Sequence, residues 1–278
     1  MKKFLTSAFA LALTVSAANS ADLYQPQPEP IQDAPEVTVQ EATGWYLRGD
    51  VGYSFKKSRG VEFWQGTSTP GVAQADFTRS SLRDGFTLGG GVGYQINSYL
   101  RTDVTFDYFT RSKFKGGTTG ICAGGVTCTS TDRSNMDAYS LLANVYVDLG
   151  TYGYFTPYVG GGIGGTYVKW NKLRNTICDD PSVPGCYTSE HGGKGGWRFT
   201  AALMAGASID ITCNLKADVG YRFRYVDGGD MFGYAVGGGP GRDKGFYSHE
   251  ARVGARYMFG GCDAPPSYEP EPQPIVYK

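Results

Sequence analysis

Trp45-Tyr46-Leu47-Arg48-Gly49-Asp50-Val51-Gly52-Tyr53-Ser54-Phe55 places Trp45, Leu47, Val51, Tyr53 and Phe55 on one parity and Arg48, Asp50, Gly52 and Ser54 on the other. Successive side chains of an extended chain point to opposite faces, so this stretch reads as a strand with one apolar and one polar face. The alternation recurs at 84–96, 99–111, 136–149, 155–169, 196–211, 215–227 and 246–259, which with the first makes eight strands. Connections 56–83, 112–135, 170–195 and 228–245 are long and polar, whereas 97–98, 150–154 and 212–214 are tight. Long loops on one side, short turns on the other and an even strand count predict an all-β fold. The expected architecture is an eight-stranded antiparallel transmembrane up-and-down β-barrel, with both termini periplasmic. The alternative is a soluble lipocalin-like barrel, which would have an apolar interior and no such asymmetry of connections.

Parity then assigns the faces. Phe86, Leu88, Val92, Val104, Phe106, Val145, Phe199, Leu203, Val219, Tyr221, Val253 and Tyr257 are expected to point outward, with aromatics near strand ends as interfacial girdles. The opposite parity collects Arg48, Asp50, Arg101, Asp103, Asp107, Asp148, Arg198, Asp210, Lys216, Asp218, Arg222, Arg224, Glu250, Arg252 and Arg256. Eight strands enclose space only for side chains. These charges are therefore expected to pair with one another as an ionic plug, because unpaired buried charge is costly. Gly89, Gly91, Gly93, Gly160, Gly162, Gly164 and Gly254 share the inward parity and would leave room for long arginine side chains.

Around the predicted barrel (44–260) lie three other segments. Lys2 and Lys3, the apolar run Phe4 to Val15 and the small residues up to Ser20 have the anatomy of a cleavable secretory signal (1–20), too short to span a bilayer as a helix. Cleavage after Ser20 would leave Ala21 first; cleavage after Ala18 is the alternative. Residues 21–43 and 261–278 are Pro-rich and acidic and are expected to be flexible periplasmic segments. At about 3.1 Å per residue the first could reach on the order of 70 Å. The chain carries 26 basic and 26 acidic residues; without Lys2 and Lys3 the balance is 24 to 26. With no clustered basic run, no nucleic-acid partner is expected.

Six cysteines, in a compartment where disulfides persist, test the map. Cys122 and Cys128 fall in one long loop, Cys178 and Cys186 in the next, and Cys213 and Cys262 at neighbouring periplasmic strand ends. Disulfides Cys122–Cys128, Cys178–Cys186 and Cys213–Cys262 follow. No His lies within these pairs and there is no Cys-x-x-Cys, so no metal site is expected. Gly160, Gly162 and Gly165 satisfy G-x-G-x-x-G, but Thr166-Tyr167-Val168-Lys169-Trp170 continues as a strand where a dinucleotide site needs a helix, so no cofactor is expected. Ser248-His249-Glu250 resembles triad letters, yet parity puts His249 outside and its neighbours inside. His191 is expected in a solvated, Gly-rich loop, and no catalytic residue is assigned.

The barrel resembles the small outer-membrane barrels of alphaproteobacteria, a major surface-antigen family related to opacity-type and OmpA-type barrels. The resemblance is carried by Gly44 to Tyr53, Thr156-Pro157-Tyr158-Val159-Gly160-Gly161-Gly162, Gly220-Tyr221-Arg222-Phe223-Arg224-Tyr225 and Ala251 to Phe259. It implies an abundant structural envelope protein of the Gram-negative outer membrane, in contact with outer-membrane lipid and lipopolysaccharide. Some members are bonded to peptidoglycan through a mature N-terminal Ala-Asp, here matched by Ala21-Asp22. The tail beyond Phe259 departs from the family habit of ending on a terminal Phe. Two other readings stay open: a narrow pore, and an adhesin acting on a host or surface ligand through Phe63, Trp64, Trp170, Tyr187 and Tyr234 in the long loops.

Overall fold

A computed structural model describes residues 43–66, 73–121, 125–180, 184–235 and 238–260. The expected signal, most of the linker, the tail, and Ala21, Asp22, Cys122 and Cys262 lie outside the described residues. Eight long strands dominate: β1 (Gly44–Ser58), β5 (Gly85–Gln95), β6 (Leu100–Gly117), β8 (Thr127–Asp148), β9 (Phe155–Trp170), β12 (Gly195–Asp210), β13 (Leu215–Val226) and β16 (Phe246–Met258). Each pairs antiparallel with the next in this order. β16 then pairs with β1, Tyr46 opposite Met258 through Ser58 opposite Phe246, so the hydrogen-bonded ring closes. Among the described residues no helix is long and apolar enough to cross a membrane.

Period-two alternation is regular along the ring, as in β1, where exposed and buried residues alternate from Trp45 to Lys57. Trp45, Leu47, Phe86, Phe106, Val145, Phe199, Leu203 and Val253 are exposed outward. Aromatic pairs mark both ends of this apolar band. Trp45 with Tyr94 and Tyr257 with Phe259 lie near the tight turns, and Tyr108 with Tyr139 and Tyr167 with Trp197 lie toward the other end. The tight turns are built from local acceptors. Asn97 Oδ1 accepts from the amides of Tyr99 and Leu100, and Thr212 Oγ1 from that of Leu215. Gly153 takes the left-handed φ of 67° that the wider turn requires.

The long connections differ from expectation, for much of each is strand. β6 and β8 continue past the expected ends at 111 and 136, and β4 (Arg79–Leu82), β7 (Thr119–Ile121), β10 (Leu173–Ile177) and β11 (Tyr187–His191) widen that wall. β2 (Val61–Gln65), β3 (Ala73–Asp76), β14 (Gly229–Phe232) and β15 (Gly238–Asp243) form a separate four-stranded sheet. These strands escaped the pattern because their outward residues are mostly polar, so no outward apolar stripe announces them.

Many of their inward residues are apolar, beside buried Ser130, Asp132, Ser134 and Asp243. Phe77, Leu82, Phe109, Phe114, Met136, Val168, Trp170, Leu173, Met231, Phe232 and Phe246 form one buried cluster. A register shift between Phe109 and Ser112 re-aims β6. Inward parity runs Asp103, Thr105, Asp107, Phe109 before it and Ser112, Phe114 after it, so Phe114 meets Phe77 and Trp170 edge-on. Trp170, expected to be exposed, is buried and donates from Nε1 to Asp243 Oδ2 at 2.9 Å. Phe63 is half-buried against the cluster, whereas Trp64 stays exposed. His191, expected to be solvated, is buried on β11 with its ring edge-on to Phe232.

Phe114→Ala should lower the unfolding free energy by about 3–5 kcal/mol, as for large-to-small changes in other apolar cores. Lys113→Ala, facing outward one residue away, should stay within about 0.5 kcal/mol. Urea unfolding midpoints in lipid vesicles would compare them.

Candidate functional site

The ring's interior holds the densest chemistry. Arg48 contacts Asp50 at 2.8 Å and Asp103 at 2.7 Å, and its Nη1 donates to Tyr146 Oη at 2.9 Å. Asp50 also receives Arg252 at 3.1 Å, and Arg252 reaches Asp107 at 3.4 Å. Asp107 takes Arg222 and Arg224 at 2.9 Å each, and Glu250 takes Arg222 at 2.6 Å. Arg48, Arg222, Arg224 and Arg252 thus meet Asp50, Asp103, Asp107 and Glu250 in one connected set, four cations to four anions, all buried. Arg101 binds Asp148 at 3.0 Å and lies between the rings of Tyr146 and Tyr158, 4.3 and 4.5 Å from their centroids. Arg256 reaches Asp218 at 3.3 Å, and Ser208 bridges them, donating to Asp218 and accepting from Arg256.

Two expected members stand apart. Arg198 turns to Asp243 of β15 at 2.5 Å and to the Asp230 carbonyl, tying the wall to the four-stranded sheet. Lys216 and Asp210 pair at 2.6 Å on a half-exposed rim. Sequence reasoning missed Tyr46, Tyr146, Tyr158, Asn144 and Lys56, all buried inside on the parity already assigned to the charges. The inward glycines accommodate some of these bodies: a Cβ on Gly93 would meet the Tyr46 ring, and one on Gly160 the Tyr146 ring. What remains open among Arg48, Asp50, Tyr146, Asp218 and Arg252 is a void of about 10 Å³, roughly one water.

The remaining motifs separate. Ser248 Oγ bonds to Ser54 Oγ and to Glu250 inside, while His249 is exposed outside and shares a 2.6 Å hydrogen bond with Tyr221. Cys178 and Cys186 form a disulfide across the β10–β11 connection. Cys128 and Cys213 are each held in a separate disulfide. On the extended strands, burial pushes the Asp132 carboxyl above its ordinary range, against hydrogen bonds from Ser130 and Asn175 that favour its charge. Hydrogen bonds from Lys172 and Arg174 hold the exposed Glu190 carboxyl below its usual range.

A closed antiparallel ring with apolar residues outside and a packed ionic interior defines a β-barrel of the outer membrane. The chain belongs to the outer membrane protein beta-barrel domain family, whose model matches residues 7–259. An uncharacterized protein of Brucella abortus is 39% identical over 282 residues, covering 90% of this chain and 95% of that protein. A protein of Rickettsia bellii named "Putative adhesin" is 26% identical over 217 residues, covering 77% and 87%. Among solved structures, the outer membrane protein OprG from Pseudomonas aeruginosa is 14% identical with a TM-score of 0.49, covering 79% of this chain and 98% of that one. Neisserial surface protein A is 20% identical with a TM-score of 0.42, covering 79% and 100%.

Asp107→Asn leaves Arg222, Arg224 and Arg252 short of a shared carboxylate and should destabilise the folded barrel by about 3–5 kcal/mol. Lys216→Ala breaks a half-exposed pair and should cost at most about 1 kcal/mol. Equilibrium urea titration in vesicles would read both, and equal effects would refute the distinction between lumen and rim.

Proposed function

We propose that this chain is a sealed structural barrel that strengthens the outer membrane. The ring of eight strands is its membrane wall, the tight turns and both termini lie on the periplasmic side, and the extended strands stand at the cell surface. The observation that carries this reading is the filled interior. Around Arg48, Asp50, Tyr146 and Arg252 the charge-paired side chains leave a void with room for about one water, and the apolar cluster fills the interior beneath the long connections. A conducting pore needs a continuous wet path, and this filling argues against one. No catalytic role is proposed, since the histidines are spent on a buried ring contact and an outward bond to Tyr221.

On this reading the mature N-terminus at Ala21-Asp22 bonds to peptidoglycan, and the Pro-rich segment to residue 43 spans the gap. The support is the resemblance of that dipeptide and its place beside the expected cleavage site. Mass spectrometry of muropeptides from detergent-boiled sacculi should find a peptide beginning at Ala21 joined to a wall fragment; only free Ala21-starting protein would remove the tether and leave the barrel. In planar bilayers the disulfide-intact protein should show no stable openings, and steady unitary currents would restore the pore.

A second reading, adhesion, is favoured by the name of the Rickettsia relative and by the ordered, β-built surface of the long connections. Shortening the β10–β11 hairpin should then abolish attachment while leaving the heat-modifiable barrel band on gels unchanged.

A further inference from the structure

The outward face does not stay apolar along its whole height. Past Tyr108, β6 presents Arg111, Lys113 and Lys115 outward, alternating with buried Ser112 and Phe114. Register places Lys115 opposite Arg133, and Arg133 opposite Arg174. Arg79 and Arg83 stand exposed on the flanking β4 edge. Arg111 meets Asp137, and Arg174 shares Glu190 with Lys172. Arg79, Arg83, Lys113, Lys115 and Arg133 join none of the ion pairs formed among the described residues. Like charges directly opposite on neighbouring strands repel, and here they stand together in a chain whose formal charge is zero. Two hollows border the row. One of about 770 Å³ is lined by Thr131, Arg133, Arg174 and Glu190, and one of about 410 Å³ by Ser81, Arg83, Lys113 and Lys115.

Height selects the partner. Lys113 and Lys115 lie five and seven residues beyond Tyr108, which at about 3.3 Å per residue and a strand tilt of about 40° puts them roughly 10–20 Å above the aromatic girdle. That is beyond hydrocarbon, at the depth of sugar headgroups. The row is also continuous with the lipid-facing wall of β6 and β8. A ligand anchored in the same leaflet therefore meets it at high effective concentration, as a soluble polyanion does not. Lysine and arginine are the residues that recognise phosphate.

We propose that this row is a docking surface for the phosphorylated sugar headgroup of an outer-leaflet glycolipid, with Lys113, Lys115 and Arg133 as its main contacts. The assignment rests on the orientation given under Proposed function. The test titrates the full, folded chain in detergent with lipopolysaccharide, and with the same lipopolysaccharide stripped of phosphate. The Lys113→Ser, Lys115→Ser, Arg133→Ser triple variant and phosphate removal should each weaken binding about tenfold, and added salt should weaken wild-type binding. Heat-modifiability on gels shows that the variant is folded. Equal binding by wild type and folded variant, or indifference to phosphate removal, would overturn the proposal. So would displacement by dextran sulfate at equal charge concentration, which would mark a general polyanion surface. An epitope inserted at Gly125 and probed on intact cells tests the orientation separately: were it unreachable, the orientation would fail, while the titration would still report on the row itself.

Discussion

A strand that crosses hydrocarbon has no water to satisfy its amides, so each N–H and C=O must find its partner inside the protein. The antiparallel ring answers that demand: β1 has β5 on one edge and β16 on the other, and no ring strand presents an open ladder at membrane depth. Much else follows from closure at this size. Eight strands leave an interior that side chains fill, and the period of two sends half of every strand into it. An interior as apolar as the exterior could pack, but it would erase the contrast that sets register. Here a one-residue slip of β16 against β1 would drive Arg252 and Arg256 into lipid. The polar lumen is thus part of what specifies the wall.

Charges admitted to that space must be matched at short range, and the match is made between strands distant in sequence. Asp107 of β6 holds Arg222 and Arg224 of β13 and Arg252 of β16, while Arg48 of β1 reaches across to Asp103 of β6. The Asp107 contacts with β13 cross-link opposite sides of the wall, and the Arg48–Asp103 contact spans the intervening β5; backbone pairing can do neither. Toward the long connections the interior changes character without a break. Phe109 receives the Arg224 guanidinium 4.5 Å above its ring and also belongs to the apolar cluster. The register shift just beyond it then turns Phe114 inward and frees Lys113 and Lys115 for the outer face.

The wall was legible because a membrane barrel states its rule twice, once as apolar residues outside and once as charges inside. Face assignment and the position of nearly every lumen charge follow from parity, and strand order from the alternation of tight and long connections. Above the membrane the first half of the rule lapses: outward residues may be polar, so β4, β10 and β11 looked like loop. The bulge at Phe109–Ser112 flips parity with no residue that announces it. Trp170 and His191 were misread for the same reason. Each sits at the end of a polar stretch, and only the neighbouring chain, Asp243 for one and Phe232 for the other, makes the position an interior one. Lys216 and Asp210 have the lumen's parity but lie near its rim, a distinction of height that parity does not carry.

Formal neutrality conceals a division of charge by height. Inside the wall each cation of the connected set has an anion, as the low polarity of that space requires. On the outer face of the extended strands, water and salt remove that requirement, and Arg79, Arg83, Lys113, Lys115 and Arg133 join no ion pair among the described residues. On the sealed-barrel reading proposed above, the chain acts on its surroundings through its surfaces and its chain ends. The lipid-facing band and the cationic row above it share strands β6 and β8, so whatever binds the row also bears on the wall. Anions bridging Lys115, Arg133 and Arg174 would replace repulsion across three strands with attraction, stiffening the part of the ring that extends farthest from the membrane.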